Sequence, residues 1–197
     1  MKRFKEYISE ATLSKLIYSG RTIKDPKLDY KYVGGKEAND QEGPGFYFTT
    51  DKDEALSYAH PKGVVLTAEQ KFTNLITHKT KANKKHALKL IQMAPNLDDT
   101  LTDWGFDPPY MSRQDALNEL FSSMYHPDDA KETYLSIWAD CYSRQNGNPD
   151  FVKNIAKLGY DGLLIEDYKP KYHVVVYNIK KINVINVENY DEIKEIK

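Results

Sequence analysis

The feature that most constrains this chain is a change of hydrophobic period in its middle. From residue 81 to residue 158 apolar side chains recur every three to four positions. The segments "KKHALKLIQMA", "SRQDALNELFSSMY", "DDAKETYLSIWADCYS" and "PDFVKNIAKLG" each read as an amphipathic helix. Pro95, Pro108, Pro109, Pro127 and Pro149 punctuate them. On both sides the residue types favour strands: "LSKLIYSGRTI", which runs from a helical start into a strand ending at Gly20, "FYFTT" and "GVVLTAEQKFTNLI" before, "YDGLLIED", "KYHVVVYNI" and "KINVINV" after. A sheet fed from both ends of the chain must close across the helical block. The pattern therefore predicts an α+β fold whose sheet is built from both ends, with the helices as an insertion packed beside it. A length of 197 residues suits one such domain.

Loops and caps fill the rest. "KLDYKYVGGKEANDQEGPG" reads as loop, and "TDKDEALSYA" opens a helix with Thr50 or Asp51 as N-cap and acids in its first turn. "DPKLDY" and "NLDDTLTD" are rich in carboxylates but lack the glycine and closing glutamate of a calcium loop, so they read as solvated turns and caps. Gly159 and Gly162 suit tight turns around Tyr160 and Asp161, a structural role. Trp104, Phe106 and Trp138 read as core of the insertion.

Several function classes are disfavoured. A net charge of -1 gives no bulk pull toward nucleic acid, and "THKTKANKKH" is a short basic run of the kind that opens a solvated helix. One cysteine, Cys141, allows neither an internal disulfide nor a CxxC site. The five histidines form no HExxH or i,i+4 pair, so no metal is expected. No apolar run reaches the ~20 residues that cross a bilayer, and no membrane partner is expected.

The N-terminal "MKRFKEYISEA" is amphipathic, with Phe4, Tyr7 and Ile8 on one side, and by period alone is a first helix. Its Met-Lys start, its Phe, Tyr and Ile, and Ile8-Ser9-Glu10-Ala11 resemble the capsid-targeting peptide of T4-like phages. That resemblance implies cleavage between Glu10 and Ala11, an address over residues 1–10 and a domain over residues 11–197. It also implies a prohead protease and scaffold as partners, and a location in the phage head, then in the host cytoplasm.

Three separated pieces form a second pattern: "LIYSGRT", "GPGFYFTTDKDEALSYA" and "KYHVVVYNIKKI". Tyr58 follows Tyr47 by eleven residues, a spacing that a plain hairpin does not require. Together they resemble the signature strands of ADP-ribosyltransferases of the diphtheria-toxin and poly(ADP-ribose) polymerase type. Gly43, Gly45, Tyr47, Phe48 and Tyr58 match the family's middle block, Gly20 its first-strand glycine, and Val175, Val176 and Tyr177 the end of its last strand. The resemblance implies a split mixed/antiparallel sheet, NAD as cosubstrate and a host protein as target. It further implies that Gly20 holds the nicotinamide carboxamide through its backbone, and that Tyr47 and Tyr58 sandwich the ring. Tyr18, Ser19 and Arg21 would lie toward the ribose and phosphates, with Gly45 and Phe48 shaping the loop and strand.

Two positions depart from the family. Ser19 stands where the family has a ribose-binding histidine, and His173 where it has the catalytic glutamate. Histidine accepts a hydrogen bond but brings no negative charge to an oxocarbenium-like state, so slow mono-ADP-ribosylation or no activity is expected. Glu166 and Asp167 are alternative carboxylates just upstream. Two other readings stand beside the enzyme. One is an inert protein of the same fold that counters a host defence; the other is a structural internal head protein.

Overall fold

The computed structural model describes residues 13–22, 27–33, 42–106, 111–143, 148–166 and 171–195. Seven strands form one mixed sheet: β1 (Leu16–Arg21), β2 (Phe46–Thr49), β3 (Val64–Gln70), β4 (Leu75–Ile76), β5 (Gly162–Ile165), β6 (His173–Val176) and β7 (Ile182–Asn189). Their order is β4-β5-β6-β2-β1-β3-β7, and every pairing is antiparallel except β4 with β5. Strands from the two ends of the chain thus interleave, with C-terminal β6 lying against N-terminal β2. The capsid-targeting resemblance, with Glu10 and Ala11, falls outside the described residues.

The strand sequences explain the order. β6 contributes Val174, Val175 and Val176, all fully buried, as a strand paired on both edges and covered on both faces requires. β7 forms an edge, and there Ile185 and Val187 are 50% and 41% exposed. Its ladder with β3 shifts register between Thr67 and Ala68, a bulge of the kind that twists an edge away from further pairing.

Helix α1 (Lys52–Ala59) follows β2 directly, capped by Asp51, whose side chain accepts from the Glu54 N–H. Between β4 and β5 come α2 (Lys84–Gln92), α3 (Leu97–Asp103), α4 (Arg113–Met124), α5 (Ala130–Cys141) and α6 (Asn148–Lys157); α7 (Tyr190–Glu195) follows β7. Four of the five inserted helices lie on the segments that the 3.6 period marks. The fifth corrects the sequence reading: "NLDDTLTD" is not a turn but the short helix α3, which buries Leu97, Thr100 and Leu101. A second correction concerns "GVVLTAEQKFTNLI", which is two strands. β3 stops at Gln70, whose side-chain oxygen accepts from the Phe72 N–H to shape the bend before β4.

One large core joins the inserted helices to the sheet. It runs from Leu90, Leu120, Ile137 and Ile155 through Phe151 to Tyr177, Val175 and Phe48. Fully burying a side chain of this size contributes about 1.5–3 kcal/mol. Phe151 meets Tyr142 and Tyr177 edge to face, at 5.4 and 6.2 Å between ring centroids. Trp138 and Phe106 pack against this core, whereas Trp104 remains 39% exposed.

Asp161 locks the far end of the sheet. Only 2% exposed, it receives the backbone N–H groups of Thr73 and Asn74 at 2.7 and 3.1 Å and the Asn178 amide at 3.2 Å. Its own carbonyl accepts from the N–H groups of Tyr177 and Asn178. Burial is the strongest single influence on this carboxyl and opposes ionisation. The donors from Thr73, Asn74 and Asn178 together outweigh it and hold the group below the ordinary aspartate range. The structural role read from "GYDG" is thus carried by a buried, fully engaged carboxylate.

Candidate functional site

The site residues are positioned by three neighbouring strands and one helix. Tyr18 of β1 lies opposite Thr49 of β2, and Thr49 lies opposite His173 of β6. Cross-strand partners share a face, so these three side chains form a row on one side of the sheet. Alternation puts Gly20, Tyr47 and Val175 on that same side. Tyr18 to Thr49 is the one pairing between β1 and β2 among the described residues. Beyond it no ladder joins Gly20 to Tyr47, and the sheet parts between them.

Helix α1 lies over this face. Ala55, Leu56 and Ala59 bury against Val65 and Tyr18 in a small second core. Gly20 makes the close approach possible: a Cβ there would sit 1.9 Å from the Ala55 carbonyl oxygen and 2.7 Å from the Ala59 nitrogen. The helix backbone itself therefore demands glycine at this position, a reason independent of any ligand.

Tyr47 is half-buried, and its hydroxyl donates to the Gly43 carbonyl at 2.6 Å. Gly43 has a φ of +80°, a conformation that favours glycine, so the loop folds back to meet the ring it precedes. Gly45 lies against Val175. Tyr58 stands on α1 and is 54% exposed. Among the described residues no ring contact joins Tyr47 to Tyr58.

Glu54 is the member of the group that sequence reasoning missed. It occupies the third position of α1, one turn before Tyr58, and the i,i+4 spacing places the two on the same stripe of the helix. A glutamate here ordinarily turns back to the N-cap N–H. In this chain the Asp51 N–H donates instead to the Thr49 hydroxyl oxygen at 3.2 Å. The Glu54 carboxylate turns to the sheet: Thr49 Oγ1 donates to Oε2 at 2.6 Å, and His173 Nε2 lies 2.9 Å from Oε1. The side chains of His173 and Glu54 are 16% and 19% exposed. The position where the resemblance expects a strand glutamate thus holds a histidine joined to a helix glutamate.

The neighbouring acids are committed elsewhere. Asp51 caps α1 and pairs with Lys171 at 2.8 Å; the Lys171 hydrogen bond, then the Glu54 N–H, hold its carboxyl below the ordinary range. Glu188 pairs with Lys52 at 2.6 Å. Glu166, one of the two alternative carboxylates, pairs with His78, and Asp167 lies outside the described residues.

Not every expected residue joins the group. Alternation sends Ser19 to the opposite face with Ile17, and Ser19 is 6% exposed. Phe48 is buried in the main core on that opposite face, which makes it a packing residue. Tyr18 shares the site's face but spends its ring on the α1 core. Arg21 sits over the Phe46 ring at 5.8 Å and donates to the Lys27 carbonyl at 3.3 Å. The side chains that meet are therefore Thr49, Glu54 and His173; Gly20 and Tyr47 share their face of the sheet, and Tyr58 stands one helical turn from Glu54, half exposed.

Cys141 is buried in α5, and burial pushes its thiol up to about 12. Among the described residues no cluster of three or more His, Cys, Asp or Glu side chains is placed to hold a metal ion. No described helix is long and apolar enough to cross a membrane. In comparisons with known families, curated proteins and solved structures, the chain matches none.

Proposed function

We propose that this protein is an NAD-consuming mono-ADP-ribosyltransferase of the diphtheria-toxin and poly(ADP-ribose) polymerase type, acting on a host protein. One observation carries the reading. Gly20, Tyr47, Thr49 and His173 share one face of three adjoining strands where β1 and β2 part, α1 brings Glu54 to that face, and Tyr58 follows Glu54 by one turn of the helix.

The chemistry of this group suits NAD as substrate. Two tyrosines offer flat apolar faces to a pyridine ring, and a partly exposed carboxylate offers an acceptor to a ribose hydroxyl and charge to a developing cation. Parted strand edges offer backbone groups to a carboxamide. The N-terminal resemblance extends the proposal to a protein carried in a phage head and delivered with the genome.

The test is transfer of label from NAD to protein in a host lysate. The parent protein is expected to label a discrete band. The Tyr47→Ala variant, with its fold checked by circular dichroism, is expected to raise KM for NAD at least about tenfold through lost stacking. A parent protein that transfers nothing yet still captures a host factor supports the inert binding protein instead.

A further inference from the structure

We propose that Glu54, carried by helix α1, is the catalytic carboxylate of this site, and that His173 and Thr49 are its positioning residues. The inference rests on the NAD reading above and specifies which residue performs the charge-bearing role. It moves that role from the sheet to the helix.

Three observations point to it. First, Glu54 forgoes the usual return to the N-cap N–H and is turned onto the sheet. Second, Thr49 donates to one of its oxygens at 2.6 Å, and His173 Nε2 lies 2.9 Å from the other, close enough to pair with it but not aligned as a hydrogen bond. An ionised carboxylate has about four acceptor sites, so one remains on each oxygen for a ligand. Third, Glu54 lies one helical turn from Tyr58 and stands over Thr49, two residues along β2 from Tyr47. A ring held between the tyrosines would carry its ribose toward this carboxylate.

In the reaction the C1′–N bond to nicotinamide breaks and its electron pair leaves with the ring, which becomes neutral. The acceptor nucleophile forms the new bond to C1′ and gives up its proton to the Glu54–His173 pair and then to solvent. Glu54 accepts a hydrogen bond from a ribose hydroxyl and places negative charge beside C1′ as the cation develops. His173, with Nε2 2.9 Å from Oε1, limits how far the carboxylate can rotate away.

The experiment compares NAD turnover and direct NAD binding by calorimetry in the parent, Glu54→Gln, Glu54→Asp, His173→Ala and the double variant E54Q/H173E. Thermal midpoints identify any variant that has lost its fold. Removing the charge in Glu54→Gln is expected to lower kcat ~10²–10³-fold with the NAD dissociation constant changed less than about threefold. Glu54→Asp retains part of the rate, and His173→Ala loses about tenfold in kcat with little change in KM. The double variant, which returns a carboxylate to the strand, regains part of what Glu54→Gln loses. An active parent with an equally active, folded Glu54→Gln variant overturns the assignment of Glu54 and leaves the NAD reading standing. A parent that neither binds nor consumes NAD overturns both.

Discussion

Glu54 and Asp161 are both carboxylates drawn into the protein, and they are held in opposite ways. Asp161 is gripped by backbone and side chains together: two N–H groups, a threonine hydroxyl, an asparagine amide and, at 3.7 Å, the Lys181 ammonium. These donors tie the turn before β4 and the residues after β6 to the start of β5. Glu54 touches only side chains, at the first turn of a short helix, with part of its surface open. A buried carboxylate that takes backbone N–H groups from another part of the chain is a fastening. One held by two side chains, with acceptor capacity left over, is available to a ligand.

The sharpest way to break this comparison is to remove Asp161. Asp161→Ala removes a buried charged acceptor from the N–H groups of Thr73 and Asn74 and from the Asn178 amide, and roughly 3 kcal/mol of stability is expected to go. Urea unfolding measures it. A loss below about 1 kcal/mol would show that water replaces the carboxylate easily and that the node is not a fastening. The pH dependence sharpens the point. The folded carboxyl is held below its ordinary value, so its stabilisation is present above that value, about 3.9, and fades as pH falls through the folded one. The stability gap between the parent and Asp161→Asn is therefore expected to narrow from about pH 5 to pH 3.

The second test acts on the helix that carries Glu54. Gly20→Ala places a methyl group against the backbone of α1, which cannot rotate aside as a side chain can. The helix must lift, at a cost of about 1–3 kcal/mol. Glu54 and Tyr58 move with it, whereas the Asp161 node lies at the other end of the sheet and keeps its donors. Amide exchange should rise in α1 and β1 and stay unchanged around Thr73 and Asn74. Uniform loosening of both regions would mean that they are not separable units.

Much of the fold was legible because period is a local signal. Helices α2, α4, α5 and α6 bury apolar residues at three- and four-residue spacing, and β6 announces itself by three consecutive valines. Helix α3 escaped because it has seven residues and buries two leucines and a threonine among carboxylates that also suit a turn. Gly20, Tyr47 and Tyr58 enter only through the family resemblance, since spacing alone leaves two tyrosines as ordinary core residues. Glu54 was not legible, because an acid in a first turn already has a capping explanation. What redirects it is the register that sets His173 beside Thr49, and register between strands so far apart in the chain leaves no local trace. Asp161 hides for the same reason: its backbone donors stand 88 and 87 residues away. Ser19 shows the converse. It neighbours Gly20 in sequence, yet alternation turns it to the other face.

The smallest expected effect on stability concerns Tyr58. Its ring is 54% exposed, and the buried face of α1 is built by Ala55, Leu56 and Ala59 without it. Tyr58→Ala should change unfolding free energy by no more than about 0.5 kcal/mol, since alanine also favours the helix. Tyr47→Ala is the informative partner, because its half-buried ring packs on the main core and its hydroxyl pins Gly43, and there a loss of about 2 kcal/mol is expected. A near-neutral Tyr58→Ala that nonetheless weakens NAD binding would assign this tyrosine to the ligand, as Glu54 is assigned. A Tyr58→Ala variant as unstable as Tyr47→Ala would instead place Tyr58 with Asp161, among the residues that the fold itself requires.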